Sequence, residues 1–212
     1  MTGIHRLLSG IQVTSSQTLE EAIRTLHKEY RVPHIVVTSA HDPTSPSTIS
    51  IIGSTARADS SPRIFKVSVP SIDCFFSGTG DMFAGLTVVR LREAVAKDQL
   101  LGEKSWMSPD DVLATQLPLA QATEKVLGSM QLVLEKTKLA RDQELKRMRG
   151  PLGVMEKERD SEKRTRLRMS KAAEVRITRC LEDLRSPDTR WKALALGEER
   201  LADGEDVRTD DK

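Results

Sequence analysis

The chain has 212 residues, enough for one domain with an extension, and 33 lysines and arginines nearly balance 31 acids. A formal net charge of +2 gives no electrostatic reason to expect a nucleic acid or a membrane as partner, and no apolar run is long enough to span a bilayer. Two distant cysteines, Cys74 and Cys180, favour a reducing compartment, so we expect the cytoplasm, with the nucleus as an alternative.

Charge is distributed unevenly along the chain. Residues 136–171 carry thirteen lysines and arginines against six acids, whereas the preceding part is nearly neutral. This asymmetry predicts a folded unit followed by an appendage. We expect a domain over residues 1–148, a charged basic arm or linker over 149–172, a short element packing on the domain over 173–196, and a disordered acidic tail over 197–212.

The first half of the chain alternates between helical and strand patterns. Residues 18–30 have apolar side chains at helical spacing, and Thr18 with Glu21 has the spacing of a capping box. Three short runs then have the apolar, β-branched composition of strands, at residues 34–38, 48–54 and 64–69.

Helical patterns follow the strands. A helix is predicted over residues 81–96, and its first half, Met82–Val89, is apolar on nearly all sides, which predicts deep burial. Ser108 followed by Pro109 and two acids has the composition of a second helix start, with an interruption near Pro118. A helix, three strands, a glycine turn and further helices indicate an α/β layered fold.

The turn Gly78-Thr79-Gly80-Asp81 lies directly before the apolar helix. Glycine lets the backbone approach a ligand closely, and a helix N-terminus presents unpaired N–H groups that suit phosphate oxygens. A carboxylate at Asp81 could accept the proton of an attacking hydroxyl. The alternative is a purely structural turn in which Asp81 interacts with the helix dipole.

The residues around this turn carry a family resemblance. The segment from Phe65 to Leu86, FKVSVPSIDCFFSGTGDMFAGL, resembles the pyridoxal kinase branch of the ribokinase-like superfamily, in which F-x-G-T-G-D-x-F-A follows a strand and a Pro-x-x-Asp segment. Val36-Val37-Thr38-Ser39 and Ile51-Ile52-Gly53-Ser54 are similar to two strand ends of that family. Related sugar kinases usually read GAGD, and hydroxymethylpyrimidine kinases usually have cysteine in place of the aspartate, so Thr79 together with Asp81 favours the pyridoxal kinase branch.

The resemblance implies a fold, an activity and site residues. The fold would be ribokinase-like, incomplete at the N-terminal side, with a helical and charged C-terminal extension like that of fungal members. The activity would be ATP-dependent phosphorylation of the 5′-hydroxyl of pyridoxal, pyridoxine or pyridoxamine, in pyridoxal phosphate salvage. The implied site comprises a catalytic base that also contacts substrate, Asp81; a glycine beside substrate and phosphate, Gly78; and nucleotide or phosphate contacts at Thr38, Ser39, Ile72, Asp73, Thr79 and Gly80.

One departure limits what this chain is expected to do alone. The family's Asn-Gln-x-Glu segment, which serves nucleotide and metal, is replaced by residues 1–6, and the family's earlier half is not present. We therefore expect an N-terminally truncated chain that is inactive by itself, with the Mg²⁺ ligands in the missing part.

Two other function classes stay open: a non-catalytic, kinase-derived binding protein, and a basic helical nucleic-acid-binding protein. The second is disfavoured because the basic stretch 136–171 has no interleaved aromatic residues, so we expect no nucleic-acid partner and no membrane partner. Whether the protein forms a homodimer is left open by the sequence.

Overall fold

A computed structural model describes residues 8–40, 47–149, 166–167 and 169–196. Most of the expected basic arm and all of the expected acidic tail lie outside these residues. No helix within the described ranges is long and apolar enough to cross a membrane.

The elements alternate as an α/β chain. The helices are α1 (Ser16–Tyr30), α2 (Thr79–Lys97), α3 (Pro118–Arg149) and α4 (Leu181–Arg185). The strands are β1 (His34–Ala40), β2 (Thr48–Ala56), β3 (Pro62–Pro70) and β4 (Leu194–Ala195). Short 3₁₀ turns lie at Lys104–Trp106, Ala114–Gln116 and Ile177–Arg179.

The four strands form one antiparallel sheet in the order β1-β2-β3-β4. Gly53 of β2 lies opposite Phe65 of β3, and a side chain at Gly53 would collide with the Phe65 ring. The glycine therefore provides the space for an aromatic side chain that is fully buried. On the other side of β3, Phe65 pairs with Ala195 of β4, so the end of the described chain returns to the sheet.

Both faces of the sheet are covered. On one face, apolar side chains of β2 and β3 pack with the start of α3: Ile51, Phe65, Val67, Val69, Leu117, Leu119, Ala120 and Leu127. On the other face, β1, β2 and β3 pack with α1: Val37, Ile52, Ile64, Leu19 and Ile23. Alternation along β2 thus sends Ile51 to one layer and Ile52 to the other, as the period of a strand requires.

Helix α1 begins two residues earlier than expected. Ser15 is the N-cap, and its hydroxyl accepts the backbone N–H of Thr18, while the Thr18 hydroxyl accepts the N–H of Ser15. The reciprocal pair is a capping box with threonine in place of the usual acid. The expectation that Thr18 and Glu21 form the box was therefore wrong by one helical turn.

The expected deep burial of Met82–Val89 was also wrong. Met82 is buried, but Val88 is 65% and Val89 54% exposed. Helix α2 packs through one face on α3, where Met82 joins Val126, Met130 and Val133. When a helix is apolar on every side, its sequence does not indicate which face packs against a neighbouring element.

The predicted helix start at Ser108 is a loop, and the long helix begins instead at Pro118. The buried Arg63 explains the difference, because its guanidinium donates to the carbonyl oxygens of Ser108 (3.2 Å), Pro109 (2.6 Å) and Val112 (3.2 Å). These three bonds hold segment 108–112 to Arg63 of β3 as a turn, in which the Pro109 carbonyl also accepts the N–H of Val112. Pro118, expected to interrupt a helix, occupies the first helical position that proline favours.

Two histidine rings are held by hydrogen bonds against β2. His27 Nδ1 donates to the carbonyl of Val32 (2.6 Å), and in the neutral ring Nε2 accepts from the Ser54 hydroxyl (2.8 Å). His34 Nε2 donates to the carbonyl of Ser105 (2.9 Å), and its Nδ1 accepts from Thr55 Oγ1 (3.0 Å). Burial lowers the pKa of both rings below the ordinary 6.5.

These histidines make stability depend on pH. Because the pKa of each ring is lower in the folded chain, the unfolded chain binds more protons, and stability present above pH 6.5 is lost as pH falls below it. We expect the urea midpoint of the wild type to fall between pH 7.5 and about pH 5.5. His27→Gln should flatten this dependence, and His27→Gln with His34→Gln should flatten it further; an unchanged slope in the double variant would contradict the assignment.

Candidate active site

The glycine turn sets the start of helix α2. Gly78 is the N-cap residue and has a left-handed backbone, with φ of 87°, which glycine adopts without strain. No side chain caps this helix end, and the first intrahelical bond runs from the N–H of Met82 to the carbonyl of Gly78. Thr79, Gly80 and Asp81 thus form a first turn whose N–H groups suit an anion.

A cleft of about 520 Å³ opens beside this turn. Its walls come from the sheet, the segment between β3 and α2, the first turns of α2, and one face of α3. Most of the lining is apolar: Ile49, Ile51, Val69, Pro70, Ile72, Phe75, Phe76, Phe83, Leu127, Met130 and Leu134. The remaining lining residues are Thr38, Cys74, Thr79, Gly80 and Gln131, and the glycine turn forms one end.

The structure brings four of the predicted site residues to this cleft. Thr38 from β1, Ile72 from the segment after β3, and Thr79 with Gly80 from α2 all line it. Segments more than thirty residues apart in sequence therefore meet at one place. This convergence is the geometry expected of a binding site built between a sheet and a helix end.

The other predicted residues lie around the cleft or away from its wall. Asp81 is exposed in the first turn of α2, next to the lining residue Gly80, and Gly78 forms the N-cap. Asp73 is exposed and does not line the cleft. Ser39 follows Thr38 in β1. The carboxylate of Asp81 is therefore free to approach a molecule that extends past the turn.

Sequence reasoning missed one wall of the cleft. Leu127, Met130, Gln131 and Leu134 form a single face of α3, and none of them was predicted as a site residue. Their spacing of three and four residues was the available signal, since it places them on one helix face. Nothing in the sequence showed that this face borders a cleft.

Gln131 is the one lining residue on α3 with a polar side chain, and it is buried. Its amide nitrogen donates to Glu135 Oε1 at 3.3 Å. A buried carboxamide in an apolar wall retains an oxygen acceptor and a second N–H donor. The carboxamide could therefore form a hydrogen bond with the polar edge of a flat ligand whose faces pack on the apolar walls.

No three His, Cys, Asp or Glu side chains within the described ranges come together as a metal site. Asp73 and Asp81, which flank the glycine turn in sequence, are both exposed. The described residues therefore do not fit a metal held by protein ligands alone.

Comparison with known proteins identifies what this arrangement resembles. No protein-family model matches the chain. The Schizosaccharomyces pombe protein "Putative pyridoxal kinase C18.10" is 28% identical over 139 residues, which are 65% of this chain and 39% of that protein. "Putative pyridoxal kinase BUD17" of Saccharomyces cerevisiae is 30% identical over 132 residues, or 62% of this chain and 36% of that protein. The chain thus matches less than two fifths of the length of these relatives.

The fold is found in a solved structure, the pyridoxal kinase from Leishmania donovani in complex with ADP. The TM-score is 0.58 at 20% sequence identity, and the match covers 91% of this chain and 49% of that one. This chain has the fold of about half a pyridoxal kinase. Both the resemblance to pyridoxal kinases and the expected α/β layered fold are confirmed.

The two glycines of the turn should respond oppositely to alanine. A side chain at Gly80 would meet nothing within 4 Å, so Gly80→Ala should raise the free energy of unfolding by about 0.5–1 kcal/mol through helix propensity. Gly78→Ala should lower it by roughly 1–2 kcal/mol, because of the left-handed backbone and a Val175 methyl 3.2 Å from the new atom. Urea denaturation of both variants measures these changes in the free energy of unfolding. Destabilisation by Gly80→Ala would contradict the open space that the structure shows at this position.

Proposed function

We propose that this chain forms the nucleotide side and the catalytic base of a pyridoxal kinase, which transfers phosphate from ATP to the 5′-hydroxyl of pyridoxal, pyridoxine or pyridoxamine. The observation that carries the proposal is the uncapped, glycine-led start of α2 at the end of an apolar cleft. The relatives named as pyridoxal kinases, and the fold shared with an ADP-bound one, support the same activity.

The cleft suits the two chemically different ends of ATP. Its apolar walls, with Ile72, Leu127 and Leu134, would cover the faces of a flat purine, and Gln131 would offer a hydrogen bond to its edge. The phosphates would then reach the N–H groups of Thr79 and Gly80 at the helix end. At Gly80 no side chain stands between the backbone and that phosphate.

Asp81 is proposed as the general base. Its carboxylate, in the first turn of α2, would accept the proton of the 5′-hydroxyl as the hydroxyl oxygen attacks the γ-phosphorus of ATP. The bond from that phosphorus to the bridging oxygen breaks, and ADP leaves. Holding the hydroxyl and the phosphate in line supplies most of the remaining acceleration.

Magnesium is proposed as the ion that accompanies ATP and neutralises charge on its phosphates. Because no protein cluster for it exists within the described ranges, we assign it no ligand in this chain. The same observation favours a second candidate, a kinase-derived protein that binds nucleotide without turning it over.

Binding of ADP tests the nucleotide side directly. Gly80→Val should weaken ADP binding at least tenfold in calorimetric titration, because a branched side chain would stand where the phosphates approach. Gly85→Val is the matched control, since Gly85 lies in the same helix, also has open space around it, and does not line the cleft. Equal ADP affinity in the two variants would remove the glycine turn from the nucleotide site.

Turnover separates the two candidate functions. In a chimera that joins this chain to the unmatched portion of the S. pombe relative, Asp81→Asn should lower kcat by on the order of 10²–10⁴, with ADP affinity nearly unchanged. Formation of pyridoxal phosphate from pyridoxal, ATP and magnesium is the measurement. Unaltered kcat in Asp81→Asn would exclude the base role, and a chimera that binds ADP without turnover would favour the binding protein.

A further inference from the structure

The described residues 169–196, called here the C-terminal strap, contact the glycine turn. The N–H of Ser77 donates to the carbonyl of Ala173 (3.0 Å), and the N–H of Val175 donates to the carbonyl of Ser77 (3.1 Å). Both backbone groups of Ser77 are therefore held by the strap, in a parallel bridge to Glu174. Ser77 is the residue immediately before Gly78, so the strap fixes the point from which the turn begins.

Val175 extends this contact to the glycine itself. A side chain at Gly78 would lie 3.2 Å from Val175 Cγ2, which shows how closely the valine approaches the turn. Val175 also packs on the apolar cluster that joins α2 to α3, near Met82 and Val133. The valine thus lies between the N-cap glycine and the helix pair behind it.

The strap is attached to α3 at several further points. Gly128 lacks a side chain where the carbonyl of Asp188 passes over the helix, and any Cβ there would collide with that carbonyl. The Ser129 hydroxyl donates to the carbonyl of Asp183 (2.8 Å), and Lys136 forms an ion pair with the Asp183 carboxylate (2.6 Å). These contacts hold the strap on a rigid element.

One contact of the strap with α3 lies next to Val175, which bonds to Ser77. The N–H of Arg176 donates to Thr137 Oγ1 (3.3 Å), and the Thr137 side chain is fully buried. Because Arg176 follows Val175 directly, this bond fixes the end of the segment that contacts Ser77 and Gly78.

From these contacts we infer that the strap, through Ala173 and Val175, positions the glycine turn for phosphate binding. The inference rests on the proposed function. Gly78 has wide conformational freedom, and no side chain caps the helix end it begins. Something outside the turn must therefore select the conformation that aims the first-turn N–H groups at phosphate. Val175 is a positioning residue, since it acts on ligand only through the turn.

The expected effect of losing this support is selective. If the turn is correctly arranged only part of the time, the apparent dissociation constant for a phosphate-bearing ligand rises in inverse proportion to that fraction. A ligand that occupies only the apolar cleft does not use the turn. The two ligands that separate these cases are ADP and adenosine, which share a base and a ribose.

The experiment measures ADP and adenosine affinity in one magnesium-containing buffer, by calorimetry, for four proteins. Val175→Ala should weaken ADP about three- to tenfold and adenosine less than twofold. Ile177→Ala, a change at an exposed strap residue, should leave both affinities unchanged. Thr137→Val removes the hydroxyl that holds Arg176 at nearly constant volume and should weaken ADP selectively if Val175→Ala does not fold.

The outcomes distinguish the inference from the proposed function. Equal weakening of ADP and adenosine, or no weakening of either in Val175→Ala and Thr137→Val, would overturn the positioning role while leaving the nucleotide site in place. A wild-type chain that binds ADP no better than adenosine would instead refute the phosphate role of the turn, and with it the proposed function.

Discussion

Burial of the first half of α3 on three sides is the constraint on which the rest of the structure depends. One side packs on the sheet through Leu119 and Leu127, a second on α2 through Val126 and Val133, and the strap covers a third. A helix surrounded in this way cannot shift without breaking several apolar contacts at once. It therefore gives the cleft and the glycine turn a fixed reference.

Glycines occur where close packing leaves no room for a side chain. Gly128 lets the carbonyl of Asp188 pass over α3, and Gly53 leaves room for the ring of Phe65 within the sheet. Gly78 serves a different need, since its left-handed backbone turns the chain from the segment after β3 into α2. A side chain at Gly80 would meet nothing within 4 Å, so packing does not explain this glycine; unlike Gly85, which has the same open space, it lines the cleft.

The sequence predicted the parts that depend on local pattern. The three main strands and helices α1 and α2 were predicted to within about two residues of their ends. Hydrophobic periodicity and turn-forming residues, which indicate these elements, are both patterns of neighbouring residues in the sequence. The glycine turn was found for the same reason. The loop after Ser108 was not predicted, because the buried Arg63 that donates hydrogen bonds to its carbonyl oxygens is about forty-five residues away in the sequence.

Burial and convergence were harder to predict than element type. His27 is buried because Val32 and Ser54 satisfy both its ring nitrogens, and its position in α1 alone does not indicate either partner. The α3 wall of the cleft and the strap contact at Ser77 both join residues more than forty positions apart. A single sequence gives no distance between such segments.

In the proposed function, apolar groups of the cleft would bind the base of the nucleotide, and the backbone at the start of α2 would bind its phosphates. None of the cleft's lining residues carries a charged side chain, so within the described lining the attraction for an anion comes from neutral dipoles, chiefly the backbone N–H groups at the start of α2. The nearest formal charge in the turn, Asp81, repels one. A base must nevertheless lie close to the reacting hydroxyl, so this repulsion accompanies the proposed chemistry. Phosphate binding would then depend on the orientation of the first-turn N–H groups, because no lysine or arginine in the lining could compensate for a displaced turn. Under the proposed function, we therefore expect phosphate binding at the turn to depend on the support that the strap gives to Ser77 and Gly78.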